Sequence, residues 1–243
     1  MSRFKRMATA GLAVIMILSV PVCAAPPSIT YDESYYVNMD YYGAVRNSNI
    51  VKSFSLNGLT SITDYGTYDS IENMSNYIEP TRTNDGVTFS FGEDIPNRFY
   101  FEAKTKEPLA NLPWKIELTY KLNGVPTDPA ALAGAKGLVE IDLDLIPNDV
   151  APEYFRNNMV LTAAAALNYD QIYSVEAPGA QIQSIGNYKA IAFMALPGEE
   201  CHFVTRLGSD SFEFGGFTFL MVPATLSQMD QIKEVRDAKD TLE

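Results

Sequence analysis

The sequence predicts a mainly β protein: an antiparallel β-sandwich, divisible into two subdomains, with a C-terminal helix. Three observations carry this. In residues 112–148, Trp114, Ile116, Leu118, Tyr120 and Leu122 alternate with Lys115, Glu117, Thr119 and Lys121. After a turn, Val139, Ile141, Leu143 and Leu145 alternate with Glu140, Asp142 and Asp144. A period of two sends apolar side chains to one face of a strand and charges to the other, so these two runs describe a sheet with one dry face that needs a cover. Second, turn-forming pairs such as Asn57-Gly58, Asn123-Gly124 and Pro178-Gly179 separate short apolar runs throughout, a spacing that gives roughly ten to twelve short strands without alternating helices. Third, the period becomes helical only after residue 224, where Leu226, Met229, Ile232, Val235 and Leu242 form a stripe.

Taken in order, residues 1–24 have the form of a signal peptide. Arg3, Lys5 and Arg6 precede an apolar run containing Leu12, Val14, Ile15, Met16, Ile17 and Leu18, and Pro21 breaks it. Small residues follow, and cleavage is expected at Ala24 or Ala25. The run is short for a membrane span of roughly 20 residues. Val22 before Cys23 is too bulky for the usual lipoprotein signal. Export, to the medium or to the cell envelope, is therefore the expected destination.

A first β subdomain is expected over residues 25–106. Tyr35, Val37 and Met39 alternate with Ser34, Tyr36 and Asn38, and a longer strand over 44–56 leads into Asn57-Gly58, read as a hairpin turn. Residues 61–77 are dense in turn formers and read as a long aromatic connection holding one short strand or helical turn. Val87, Phe89 and Phe91 mark one strand, and Phe99 and Phe101 the next. Two prolines and two lysines in 104–113 mark the subdomain boundary.

The second subdomain, 107–224, opens on the alternating pair. Its connection contains Asp128-Pro129, an N-cap followed by proline at the first helical position, so a short helical turn is expected there. A loop is expected over 147–158, then strands over 159–167, 172–176, 181–185, 189–196, 202–207 and 212–222, with Gly215-Gly216 as a bulge or a close backbone approach. The terminal segment, 225–243, has Thr225 and Gln228 at capping-box spacing and no residue that stops a helix. It reads as the start of a stalk or coiled coil, the alternative being a terminal helix docked on the sandwich.

Composition narrows the function. The formal net charge is −12 at pH 7, which repels nucleic acid and anionic lipid, so no nucleic-acid partner is expected. The leader contributes three cations and no acid, so the exported chain is more acidic still. Cys201 is the one cysteine beyond the leader, which excludes a disulfide scaffold. His202 is the only histidine, and as its strand neighbour Cys201 must point to the opposite face, so a Cys-His pair is not expected. Zinc lacks ligands. Calcium would have to draw on Asp64, Asp69 and Glu72 or on the acids of 140–144, which read instead as a solvated face. No cofactor and no catalytic residue is assigned. The first half is crowded with tyrosines, and Tyr65, Tyr68 and Tyr77 stand out as a candidate binding surface.

Several stretches together resemble a known family. They are Asp64-Tyr65-Gly66-Thr67-Tyr68-Asp69-Ser70-Ile71, Leu112-Pro113-Trp114-Lys115-Ile116-Glu117 running on to Asn123-Gly124, and Ser174-Val175-Glu176-Ala177-Pro178-Gly179. Met194-Ala195-Leu196-Pro197-Gly198-Glu199-Glu200 and Met221-Val222-Pro223-Ala224-Thr225-Leu226-Ser227-Gln228 complete the set. The chain after its leader resembles the N-terminal extracytoplasmic β-domain of uncharacterised surface proteins of Gram-positive bacteria, relatives of phage-infection-protein-like membrane proteins. The resemblance implies that a long helical region and a membrane helix follow, whereas this sequence stops inside the helix, as a shortened or split form would. It implies no catalytic residues. The expected function is a non-enzymatic secreted or cell-envelope protein, acting in adhesion, in scaffolding or as an accessory domain of a membrane assembly. Its partner would be a protein or glycan at the cell surface, with membrane attachment only through a missing C-terminal part or an uncleaved signal. The alternative is an extracellular carbohydrate-active protein, either a binding module or a two-carboxylate hydrolase.

Overall fold

The computed structural model describes residues 12–19, 29–104 and 111–240. Within the expected leader, Leu12–Ser19 forms a strand, β1, and the cleavage positions Ala24 and Ala25 lie outside the described residues. Part of the expected boundary at 104–113 also lies outside them. The remaining strands, in chain order, are β2 (Thr30–Met39), β3 (Val45–Ser55), β4 (Ser61–Tyr65), β5 (Ser70–Asn73), β6 (Thr81–Arg82), β7 (Gly86–Ser90), β8 (Arg98–Lys104), β9 (Trp114–Leu122) and β10 (Val125–Pro126). They continue as β11 (Gly137–Pro147), β12 (Met159–Asn168), β13 (Ile172–Glu176), β14 (Gln181–Ile185), β15 (Tyr188–Ala195), β16 (Cys201–Ser209) and β17 (Thr218–Pro223). Among the described residues, helices are confined to α1 (Pro129–Leu132), α2 (Glu153–Asn158) and α3 (Leu226–Asp240). The protein is mainly β and built of antiparallel sheets, as the alternation predicts.

The chain divides into two compact units. One contains Asn38–Ala44 and Asn111–Phe219; the other contains residues 45–104 with 29–37 and 220–240. In the 111–219 unit, one sheet has the order β10-β9-β11-β16-β13 and a second row runs β14-β15-β12-β17. The dry face foreseen in the sequence is the inner face of the first sheet. Trp114, Ile116, Leu118, Val139, Ile141, Leu143 and Leu145 are all buried there. The cover is supplied by Leu161, Ala163, Ala165, Ile191 and Phe193 of the second row, and Phe193 stacks on Phe203 at 4.5 Å between ring centroids. The indole N–H of Trp114 donates to the Glu199 carbonyl at 2.8 Å, so its one polar atom is satisfied inside the core.

The turn at Asp40–Ala44 lies on β9. Tyr42 O accepts from Leu118 N at 3.2 Å, and the Tyr120 hydroxyl donates to Tyr41 O at 2.7 Å. Gly43 is required here twice over: its φ is +93°, and a Cβ would stand 2.0 Å from the carbonyl oxygen of Ile116.

In the 45–104 unit, a row β1-β2-β3-β8-β5 is accompanied by a small sheet β4-β7-β6. Phenylalanines join the two: Phe89 lies 4.6 Å from Phe99 and 5.1 Å from Phe101, and Phe91 lies 5.0 Å from Phe99. Two local expectations are corrected. Asn57 and Gly58 both take positive φ, at 50° and 85°, as a tight turn demands, yet they do not close a hairpin. β3 pairs with β8, and β4 with β7; the turn carries the chain from one sheet to the other. The reason is the inner face at the end of β3, where Phe54, and Leu56 just beyond the strand, bury against the phenylalanine cluster and need a facing sheet, not a neighbouring strand. Residues 61–77 contain two strands, β4 and β5, where one short element was expected.

Smaller differences have similar causes. Residues 147–158 were expected as a loop and include α2. The expected strand over 212–222 is strand only from Thr218, and Gly216, at φ 88°, lies in the segment before it. Asp128 does cap α1, its carboxylate accepting from Ala130 N at 2.8 Å. At α3 the capping box forms in both directions: Thr225 N donates to Gln228 Oε1 at 2.8 Å, and Gln228 N donates to Thr225 Oγ1 at 3.3 Å.

Candidate functional site

The outer face of β9, β11 and β16 gathers a cluster of ionisable groups. Register explains why. Lys121 lies opposite Glu140 and Thr119 opposite Asp142, while on the other side Arg206 faces Glu140 and His202 faces Asp144. Cross-strand neighbours on one face stand close enough to bond. Lys121 Nζ donates to Glu140 at 2.6 Å and reaches Asp142 at 3.0 Å. Arg206 donates through Nε to Glu140 at 2.5 Å and through Nη1 to Glu176 at 3.0 Å. The His202 Nδ1 is 2.7 Å from Asp144 Oδ1, with Nε2 3.9 Å from Asp142.

These bonds fix charge states. Hydrogen bonds from Lys121 and then Arg206 hold the Glu140 carboxyl below the usual range, against a small opposing effect of burial. The bond to Glu140 raises both Lys121 and Arg206. The acids of β11, expected as a solvated face, are on that outer face, but as an ion-pair ladder. β11 alone does not reveal this, because the partners come from its neighbours, Lys121 from β9 and His202 and Arg206 from β16, the latter more than fifty residues later.

Chemically the ladder offers a histidine and two aspartates, with a threonine hydroxyl bonded to one of the aspartates. Cys201 lies opposite Leu145 in the register, on the other face from His202. The Thr119 hydroxyl donates to Asp142 at 3.3 Å, and His202 is 57% exposed on an open strand. A general acid for glycoside hydrolysis requires a raised carboxyl pKa, and Glu140 is shifted the other way. No three His, Cys, Asp or Glu residues are placed to hold a metal ion among the described residues.

A second constellation lies inside the 45–104 unit. Lys52 is only 7% exposed, because it occupies the same strand face as Phe54 and must point inward. Its ammonium is held by Glu33 of β2 at 2.7 Å and Asp64 of β4 at 2.8 Å. The Tyr68 hydroxyl donates to the other oxygen of Asp64 at 2.6 Å, and the Tyr35 hydroxyl to Glu33 at 2.9 Å. Burial would depress the Lys52 pKa, but hydrogen bonds to Asp64, Glu33 and Tyr68 outweigh it and hold the group above its ordinary value. Burial and then the bond to Asp64 push Tyr68 up to about 12. Burial, followed by the Glu33 charge, likewise raises Tyr35.

The three tyrosines singled out in the sequence therefore divide. Tyr65 is 76% exposed and Tyr77 wholly so. Tyr68 turns inward, its ring edge-on to Phe101 and its hydroxyl in the Lys52 knot. Asp64 is held by Lys52 rather than grouped in a loop with Asp69 and Glu72. The sequence signal for the knot is the parity of Lys52 with Phe54 and Leu56, a charge written into the apolar alternation.

No family model matches the chain, and no curated protein matches it.

Proposed function

We propose that this protein is a non-enzymatic module of the cell envelope or of the secreted fraction, which holds a surface protein or glycan as an adhesion, scaffolding or accessory domain. The observation that carries the reading is the disposition of the ladder. Glu140 and Asp142 are matched to the cations of Lys121 and Arg206, His202 lies beside Asp144, and the array is spread along three strands of one sheet face. Such a face suits polar contact with a partner better than bond breaking, which needs a matched acid, base and nucleophile held together. The leader-like segment at 1–24 and the resemblance to Gram-positive surface proteins support the envelope location.

The test is sedimentation of the purified protein with isolated bacterial cell walls, alongside an assay for released reducing sugar. Retention in the wall fraction without sugar release is the expected result. Sugar release that disappears in Asp142→Asn would overturn the reading in favour of a hydrolase. The carbohydrate-binding alternative has its own support in Tyr65 and Tyr77, which expose ring faces of the kind that stack on sugars. On that alternative, Tyr65→Ala or Tyr77→Ala lowers retention on wall glycan while the melting curve stays in place.

A further inference from the structure

We propose that β14 is a self-pairing edge, through which a second copy of this chain adds in antiparallel register. An edge strand offers unpaired main-chain groups to any extended partner, and folded proteins normally blunt such edges. The other terminal strands here are blunted. β10 is two residues long and ends in Pro126, and β6 is also two residues long. β5 is short and carries Glu72. β4 turns Asp64 inward onto Lys52. β13 is broken by a register shift between Ile172 and Ser174.

β14 has none of these devices. It reads Gln-Ile-Gln-Ser-Ile, with no charge and no proline, and all five residues are exposed. It pairs with β15 alone among the described strands and ends its row.

The β14–β15 connection fixes which groups face outward. Ile185 and Tyr188 are joined by the two-residue turn Gly186-Asn187, with Gly186 at φ 59°. A two-residue turn makes its flanking residues a hydrogen-bonded pair. Alternation then assigns Gln181, Gln183 and Ile185 to bonds with β15, and leaves the N–H and C=O of Ile182 and Ser184 pointing outward. These two positions flank Gln183 symmetrically. A second β14 related by a two-fold axis at Gln183 places Ile182 opposite Ser184 of the other copy, and the reverse, so every outward group on one strand meets its complement on the other. That closed arrangement is the one cyclic dimers favour.

Charge points to the same occupant. The chain carries −12 overall, so two copies repel except where they can meet on an uncharged strip. Ile182, 47% exposed beside the buried Ile191, also gains cover from the added strand. The pairing needs no ligand and stands apart from the envelope reading.

The experiment is sedimentation velocity of the full chain over a concentration series, with Ser184→Pro and Ser184→Ala. Proline at 184 removes an outward N–H without breaking a β15 bond. Alanine removes only the side-chain bond that joins Ser184 Oγ and the Tyr169 hydroxyl at 2.9 Å. The wild type and Ser184→Ala are expected to dimerise reversibly, more tightly at higher salt, with Ser184→Pro weakened tenfold or more. If Ser184→Pro does not fold, Ile182→Lys, which places a charge on the edge, is expected to give the same weakening. A wild type that stays monomeric across the series, or a dimer that both Ser184→Pro and Ile182→Lys leave intact, overturns the proposal.

Discussion

Two single residues concentrate the stability of their surroundings. At Gly43, positive φ and the approach to Ile116 O coincide, so Gly43→Ala is expected to destabilise the protein by more than about 2 kcal/mol in urea unfolding, since left-handed strain and a backbone clash add. At Lys52, the charge matters more than the shape. Lys52→Met leaves Glu33 and Asp64 in the interior without their cation, and breaking such an arrangement costs about 3–5 kcal/mol. A triple variant, Lys52→Met with Glu33→Gln and Asp64→Asn, is expected to recover much of that loss in the same measurement. Tyr68 gives the knot a pH signature. Its folded pKa is raised to about 12 from an ordinary value of about 10. The stability it contributes is therefore complete below pH 10 and fades as pH climbs from there through 12. Thermal melts across that window should fall more steeply for the wild type than for Tyr68→Phe.

At the scale of elements, the amphipathic strands were legible because one physical rule decides them. β9 and β11 alternate cleanly and pair antiparallel from Val139 opposite Leu122 onward, while the Asn123-Gly124 turn, whose residues take φ 52° and 81°, folds β10 back on β9. Leu143, 1% exposed at the centre of this pair, is the residue on which to test the packing. Leu143→Ala is expected to cost about 2–5 kcal/mol, read as a lowered denaturant midpoint with an unchanged slope. The helix α3 was also legible, since Thr225 and Gln228 cap it as their spacing predicts. Residues 61–77 were not. There the strands β4 and β5 are short, and what keeps them extended is pairing with β7 and β8, which no local pattern encodes. The loop before β17 fails in the opposite sense: apolar residues such as Phe212 and Phe217 are buried there without being strand.

At the scale of the whole chain, what sequence could not supply was the choice of neighbour. Asn57-Gly58 has every property of a hairpin turn, and only the crossing between sheets shows otherwise. The acids of β11 acquire meaning when β9 brings Lys121, and β16 brings His202 and Arg206, beside them. Tyr68 changed from a surface candidate to an interior one for the same reason: its hydroxyl donates to Asp64 of β4, which is held by Lys52 of β3, a strand of another sheet. The buried indole has a practical corollary. Trp114 is the sole tryptophan, sealed in the 111–219 unit, so intrinsic emission excited at long wavelength follows the surroundings of that one indole, while phenol absorbance, to which the buried Tyr120 of the same unit also contributes, sums over both units.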